Sequence, residues 1–406
     1  MKETKNVPQL RFSGFDDEWE EKKLNEYLEP SKQKNLDNKY SKNDVLSVSG
    51  EFGIVNQIEF QGRSFAGEYV NNYGVVETND IVYTKSPLNA NPYGIIKSNF
   101  GKTGIVSTLY AVYKSKNNVD PCFIQTYFDL NKRLNDYLRP LVRKGAKNDM
   151  KVSSEDALLG NVVFPSKLEQ QKIGTFLSHV DSLIQAKTKK LESFKAVKKS
   201  LLQKCFPQPG EKVPEMRFAG FNGDWEESSA TKLFETISDK GHPELPVLSA
   251  SQELGMIYRD DFKSDIQYNT QNTFGYKRVC PKQFVIHLRS FQGGFAHSKI
   301  EGITSPAYTI LKLCDEKKHD DIFWKYVLTS ESFIKTLETI IYGIRDGKSI
   351  SFDDFSTLVF IYPSSKNEQQ KIGQFFSKYD SLISTQQKEI DKLKDIKKSL
   401  LQKMFV

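Results

Sequence analysis

The sequence predicts an α+β protein: a pseudo-twofold tandem repeat of two mixed α/β domains separated by a pair of long antiparallel helices. Three observations predict it. First, VPQLRFSGFDDEWEE at Val7–Glu21 returns as VPEMRFAGFNGDWEE at Val213–Glu227. Second, EQQKIGTFLSHVDSLI at Glu169–Ile184 returns as EQQKIGQFFSKYDSLI at Glu368–Ile383. Both run on without a gap into KKSLLQKCF (Lys198–Phe206) and KKSLLQKMF (Lys397–Phe405), in a constant register of 199 residues. Third, the stretches between these echoes keep only a thin skeleton in common. So long a period excludes a solenoid and means two half-proteins in tandem.

In chain order, residues 1–15 carry the first repeat motif and 16–166 the first mixed domain. Residues 167–206 form a central helix and 207–221 a proline-rich linker with the second motif. Residues 222–365 form the second mixed domain and 366–406 a C-terminal helix. The helices follow from periodicity: Ile173, Phe176, Val180, Leu183, Ile184, Leu191, Phe194, Val197 and Leu201 fall at three- and four-residue steps. Ile372, Phe375, Tyr379, Leu382, Ile383, Ile390, Leu393, Ile396 and Leu400 repeat the stripe. Each helix would be on the order of 55 Å long, and the matched stripes suit packing of one helix against the other. Pro207, Pro209 and Pro214 stop the first helix. In the mixed domains VLSVSGEFGIVNQIEF (Val45–Phe60) answers VLSASQELGMIYRDDF (Val247–Phe262), and GIVSTLYAVY (Gly104–Tyr113) answers GITSPAYTIL (Gly302–Leu311). VVFPS (Val162–Ser166) likewise answers VFIYPS (Val359–Ser364). The matches fall on β-branched, aromatic and turn residues, so short strands with a few helices are expected in both.

Composition narrows the class. At 406 residues, 38% hydrophobic and 27% charged, the chain is globular and too long for one ordinary core. It has no apolar run of membrane-spanning length and no signal-peptide pattern at its start, so a cytoplasmic location is expected. Cys122, Cys205, Cys280 and Cys314 form no CxxC pair and read as reduced thiols. The net charge of +7 resides in the two helical repeats: Leu168–Phe206 carries +5 and Asn367–Val406 +3, leaving the rest near neutral. Overall charge therefore does not identify the partner of the mixed domains.

Catalytic motifs fail inspection. NPYG (Asn91–Gly94) lacks the second proline of an amine-gripping methyltransferase turn, and no glycine-rich strand–helix turn precedes it. GIRDGKS (Gly343–Ser349) has three residues between its glycines where a phosphate-cradling loop needs four. GKT (Gly101–Thr103) has no partner glycine. His287 and His297 lack ligand-like spacing and read as structural. The chain is expected to catalyse nothing alone.

The tandem arrangement, the RFxGFxxxWEE entries and the EQQKIG…DSLI…KKSLLQK helices resemble the specificity (S) subunit of type I restriction-modification systems, over the whole chain and in order. That resemblance implies that 16–166 and 222–365 are target recognition domains, each reading one half of a bipartite double-stranded DNA sequence. It implies that the helices set the spacer and dock two modification subunits carrying the adenine methyltransferase site, with restriction subunits joining that core. S-adenosylmethionine, ATP and Mg then belong on those partners, and no cofactor on this chain. Two other readings stand beside it: a self-contained DNA methyltransferase or nuclease, and a coiled-coil adaptor unrelated to DNA.

Candidate DNA contacts follow from aligned loops. Ser47, Ser49 and Glu51 align with Ser249, Ser251 and Glu253. YTKS supplies Lys85 and Ser86, and HLRS supplies Arg289 and Ser290, each after an apolar strand. RKGAK supplies Arg143 and Lys147, and RDGKS supplies Arg345 and Lys348. Arginine reaches guanine edges bidentately, so Arg289 and Arg345 are candidate base readers; Lys85, Lys147 and Lys348 suit phosphates. Candidate docking points are the residues repeated for two identical partners: Arg11, Phe12, Glu169, Gln170 and Lys172, with Arg217, Phe218, Glu368, Gln369 and Lys371. The same repetition is also what a seat for the helices would need.

Overall fold

The computed structural model describes residues 6–88, 90–144, 150–251, 254–261, 270–287, 294–340 and 352–406. The chain divides into two compact units, Met1–Lys189 with Lys388–Val406, and Lys190–Gln387.

In unit one the strands are β1 (Glu20–Lys23), β2 (Leu28–Pro30), β3 (Leu46–Ser49) and β4 (Gly53–Asn56), followed by the short helix α1 (Gln57–Gln61). Then come β5 (Gly74–Val76), β6 (Ile81–Thr84), β7 (Ile96–Ser98), β8 (Gly104–Val106) and β9 (Tyr110–Ser115). Helices α2 (Pro121–Phe128) and α3 (Asn131–Leu138) precede β10 (Arg143–Lys144), β11 (Met150–Lys151) and β12 (Asn161–Phe164). The long helix α4 spans Lys167–Lys204. An antiparallel sheet of order β2-β9-β6-β7 is joined by the ladders β1–β12, β3–β4, β5–β8 and β10–β11. α2 starts where the chemistry requires: Asp120 accepts from the Phe123 N–H and Pro121 occupies the first turn, where its missing N–H costs nothing.

Unit two repeats the plan. Its elements are β13 (Glu226–Ser229), α5 (Ala230–Leu233), β14 (Phe234–Ile237), β15 (Leu248–Ser251), β16 (Gly255–Tyr258), β17 (Lys277–Val279) and β18 (Phe284–Ile286). They continue with β19 (Phe295–His297), β20 (Gly302–Thr304), β21 (Thr309–Leu313), α6 (Asp321–Leu328), α7 (Glu331–Ile340), α8 (Phe352–Ser356), β22 (Val359–Tyr362) and α9 (Lys366–Lys403). The sheet order is β14-β21-β18-β19, with ladders β13–β22, β15–β16 and β17–β20. The mixed fold and both long helices are thus as the periodicities predict.

Each unit is closed by one helix beginning and the other helix ending. In unit one Lys397 of α9 meets Asp181 of α4 at 2.7 Å, and Lys187 meets Glu389 at 2.7 Å. Rising numbers on α4 face falling numbers on α9, so the segments are antiparallel. In unit two Lys198 meets Asp380 and Phe206 stacks near Phe376, the same sense again. Phe405 completes the first core against Trp19 and Phe123; Phe206 completes the second against Trp225 and Phe323. Burying a ring of this size contributes roughly 2–3 kcal/mol.

The predicted stripe needs correction. Ile173, Leu191, Ile372 and Ile390 are buried, but so are Leu177 and Phe376, which lie beside the predicted Phe176 and Phe375. Leu183, Val197, Leu382 and Ile396 are 46%, 43%, 51% and 44% exposed. These four do not join a helix–helix seam.

Candidate nucleic-acid interface

The repeated motifs build a seat within each unit. Arg11 donates from Nε and Nη2 to the two carboxylate oxygens of Glu169 at 2.7 and 2.8 Å, a bidentate pair. Arg217 grips Glu368 at the same two distances. That hydrogen bond to the carboxylate holds each guanidinium above its ordinary pKa. Glu169 and Glu368 are each 1% exposed. Gln170 accepts from the Asp120 N–H at 3.0 Å and donates to the Pro165 carbonyl at 2.9 Å. Gln369 does the same with Asp320 and Pro363, both at 2.9 Å. Phe12 packs edge-on to Phe176 and Phe218 edge-on to Phe375. Gly174 and Gly373 let the helices approach closely, since a Cβ there would lie 2.8 Å from the Phe123 nitrogen and 3.0 Å from that of Phe323. Arg11, Glu169, Gln170, Arg217, Glu368 and Gln369, expected as docking points, spend polar groups on partners inside their own unit. Phe12 and Phe218 are half-buried, and the exposed Lys172 and Lys371 rest over the rings of Phe12 and Phe221.

An ion cluster locks each seat. In unit one Lys397 also meets Asp129, itself held by Lys97 at 2.6 Å. Burial pulls the Lys397 ammonium down, but Asp129 and Asp181 more than reverse it, and its pKa lies above the ordinary lysine value. Burial pushes Asp129 up and its two lysines overcome that, leaving it below the usual range; Asp181 stays raised by burial, which Lys397 only partly offsets. In unit two Asp380 accepts from Lys198, Lys325 and the Tyr326 hydroxyl, which outweigh burial and lower its pKa. Asp181 and Asp380, like Lys198 and Lys397, are 199 residues apart, a signal that could have revealed the cluster from sequence.

The loop candidates lie on a different set of elements. Ser47 and Ser249 are half-buried on β3 and β15. Ser47 accepts from the Gln57 side chain at 3.1 Å. Ser49 caps the β3–β4 turn by accepting from the N–H groups of Glu51 and Phe52, and Ser251 accepts from the Leu254 N–H. Glu51 is exposed. Lys85 follows β6, half-buried, with its ammonium 3.5 Å from the Ser154 hydroxyl; burial depresses its pKa. This contact brings the β6–β7 loop, including Ser86, to the foot of the β10–β11 hairpin that carries the exposed Arg143. No sequence feature pointed to Ser154. A half-buried ammonium beside a hydroxyl is suited to an anionic oxygen such as a phosphate. Lys147, Glu253, Arg289, Ser290, Arg345 and Lys348 lie outside the described residues. Among the described residues no group of three or more His, Cys, Asp or Glu could hold a metal ion, and no helix is long and apolar enough to cross a membrane. His297 is structural, with Nε2 2.8 Å from Asp321.

No protein-family model matches the chain. A Methanocaldococcus jannaschii protein provisionally named the MjaX specificity subunit of a type I restriction enzyme is 22% identical over 301 residues, covering 71% of this chain and 68% of that protein. The crystal structure of the type I restriction-modification S subunit from M. genitalium matches with a TM-score of 0.58 at 14% identity, covering 98% of this chain and 99% of that one. A chain from a structural study of complex assembly and conformational transition in a type I system matches with a TM-score of 0.51 at 14% identity, covering 97% and 99%.

Proposed function

We propose that this chain is a specificity subunit of a type I restriction-modification system, the non-catalytic DNA-reading member of such a complex, each unit reading one half of a bipartite target. The observation that carries the proposal is the contrast within each unit. The seat of motif, helix beginning and helix ending recurs in both units, while the loop sequences between the strands differ. Two unlike readers on one repeated frame suit a DNA target of two unlike halves, as symmetric dimers suit palindromes. S-adenosylmethionine, ATP and Mg belong, in this reading, to the modification and restriction subunits.

α4 and α9 each leave one unit and enter the other, so helix length is the quantity that would set the unread spacer. One turn rises about 5.4 Å, comparable with one to two base pairs along the duplex. Co-expression with the modification subunits, followed by genome-wide mapping of methylated adenines, tests both parts. The map should show one bipartite site. Inserting about four residues near Lys187–Lys190, with a matching insertion near Lys388, should lengthen its spacer and leave both halves unchanged. A site without two halves would overturn the reading.

Docking moves from the buried seats to the exposed apolar positions. Leu183 and Leu382, and Val197 and Ile396, are equivalents 199 residues apart. The pairing of Asp181 with Lys397 sets Leu183 and Ile396 at nearly the same height in unit one; that of Lys198 with Asp380 does so for Val197 and Leu382 in unit two. Repeated, water-exposed apolar positions are the kind of surface two copies of one modification subunit would use.

A further inference from the structure

The β3–β4 and β15–β16 hairpins share a feature that packing does not require. Each ends in a large apolar side chain held out into water: Phe52 is 51% exposed and Leu254 68%. The tips are rigid. Ser49 accepts from the Phe52 N–H at 3.1 Å, Ser251 accepts from the Leu254 N–H at 3.2 Å, and the next residue is a glycine in the left-handed region, Gly53 at φ +71° and Gly255 at φ +78°. In unit one the Phe52 ring leans on Phe60, itself 44% exposed, with centroids 5.3 Å apart. In unit two the hairpin is pressed onto β19, where a Cβ on Gly255 would lie 2.3 Å from the His297 carbonyl oxygen. β7 and β19 are the strands that follow the loops after β6 and β18.

We infer that Phe52 and Leu254 are wedges that enter the base stack of the DNA, one in each half-site. This rests on the DNA-reading proposal above. Three observations favour the duplex as occupant. The tip is kept apolar in both units while neighbouring loops diverge, so its task does not depend on which bases are read. Unstacking a base step by an apolar side chain is such a task. In unit one the exposed carboxylate of Glu51 stands beside Phe52; repelled by phosphates, it keeps this tip off the backbone and turned toward base edges. The hairpin also adjoins the strand leaving the Lys85 loop, so a phosphate at Lys85 and a wedge at Phe52 act on one stretch of duplex.

The test uses the full chain in complex with its modification subunits and a duplex carrying the mapped methylation site. 2-Aminopurine replaces single bases in turn, away from the methylated adenine. The wild-type complex should raise its fluorescence at one step in each half-site. Phe52→Ser should abolish the rise in one half only, weaken binding about tenfold and leave base preference unchanged. Leu254→Ser should do the same in the other half. Phe52→Leu, which borrows the other unit's residue, should retain the signal. A rise that survives both serine variants overturns the wedge, as does loss of subunit assembly in Phe52→Ser, which would make the tip a protein contact. Absence of sequence-selective binding by the wild-type complex would instead overturn the DNA-reading proposal beneath it.

Discussion

At equivalent aspartate and lysine positions, unit one builds its ion cluster around a lysine and unit two around a carboxylate. Lys397 gathers Asp181 and Asp129; Asp380 gathers Lys198, Lys325 and Tyr326. The repeated helices supply one Asp and one Lys to each unit, and the variable region supplies the rest with opposite sign. Asp129 comes from the end of α2, whereas Lys325 and Tyr326 come from the middle of α6. The frame therefore specifies where a unit is locked, and each variable region completes the lock differently. By contrast, both arginine seats keep the same bidentate pair with a glutamate, to which Arg217 adds the Gly223 carbonyl. A region copied twice can diverge where it meets its own domain and remain fixed where it meets the motif copied with it.

The largest expected effect falls on the feature the units share. Arg11→Ala and Arg217→Ala each strand a buried carboxylate, and each should destabilise its own unit by about 3–5 kcal/mol. Urea unfolding followed by tryptophan fluorescence separates them, because Trp19 lies in one core and Trp225 and Trp324 in the other. Unequal losses would break the equivalence. The unlike feature should give unlike losses. Asp129→Asn leaves Lys97 without its carboxylate and Lys397 with only Asp181, a change of about 3 kcal/mol. Lys325→Ala leaves Asp380 with Lys198 and the Tyr326 hydroxyl, at a cost of about 1 kcal/mol. The same unfolding measurement decides whether the buried lysine hub is the stronger lock.

Acid sharpens the comparison further. Asp380 and Asp129 are depressed in the fold, so their stabilisation is present above the ordinary aspartate value of 3.8 and fades as pH falls through their lower folded values. Asp181 is raised, so the fold takes up its proton more readily than the unfolded chain does, which opposes that loss in unit one. Stability measured from pH 5 to pH 2 should lose part of its acid slope in Asp380→Asn and gain slope in Asp181→Asn. Lys397 carries the opposite dependence. Its raised value gives stabilisation that is complete below the ordinary lysine value of 10.5 and is lost as pH rises through the folded value.

The architecture was legible because two periodicities reported it independently: the 199-residue register and the three- and four-residue steps of the helices. Which helix face turned inward was less legible. Phe176 and Leu177 are both apolar neighbours, and over 38 residues a 3.6 period drifts around the helix, so pattern alone cannot choose between them. The identity of Glu169 with Glu368 and of Gln170 with Gln369 showed that something was shared by both halves. It could not show whether that was an outside partner or an inside seat. The fold adds to it carbonyl and N–H partners inside each unit, some of them distant in sequence. Ser154, Lys97 and Tyr326 had no signal at all, because they matter only through what the fold brings beside them.

The smallest effect on stability is expected where the proposed effect on assembly is greatest. Leu183 and Ile396 in unit one, with Val197 and Leu382 in unit two, are exposed, so replacing any one by glutamine removes little buried area. Unfolding should shift by less than about 0.5 kcal/mol. If these positions receive modification subunits, Leu183→Gln with Ile396→Gln should lower the stoichiometry seen by native mass spectrometry from two modification subunits to one. Val197→Gln with Leu382→Gln should remove the other, and the four changes together should remove both. Retention of two subunits by the quadruple variant would show that docking lies elsewhere. A large stability loss in either double variant would show that the pair is packed after all. The comparison of units then becomes a count, with equivalent positions in each unit expected to hold one copy of the same partner.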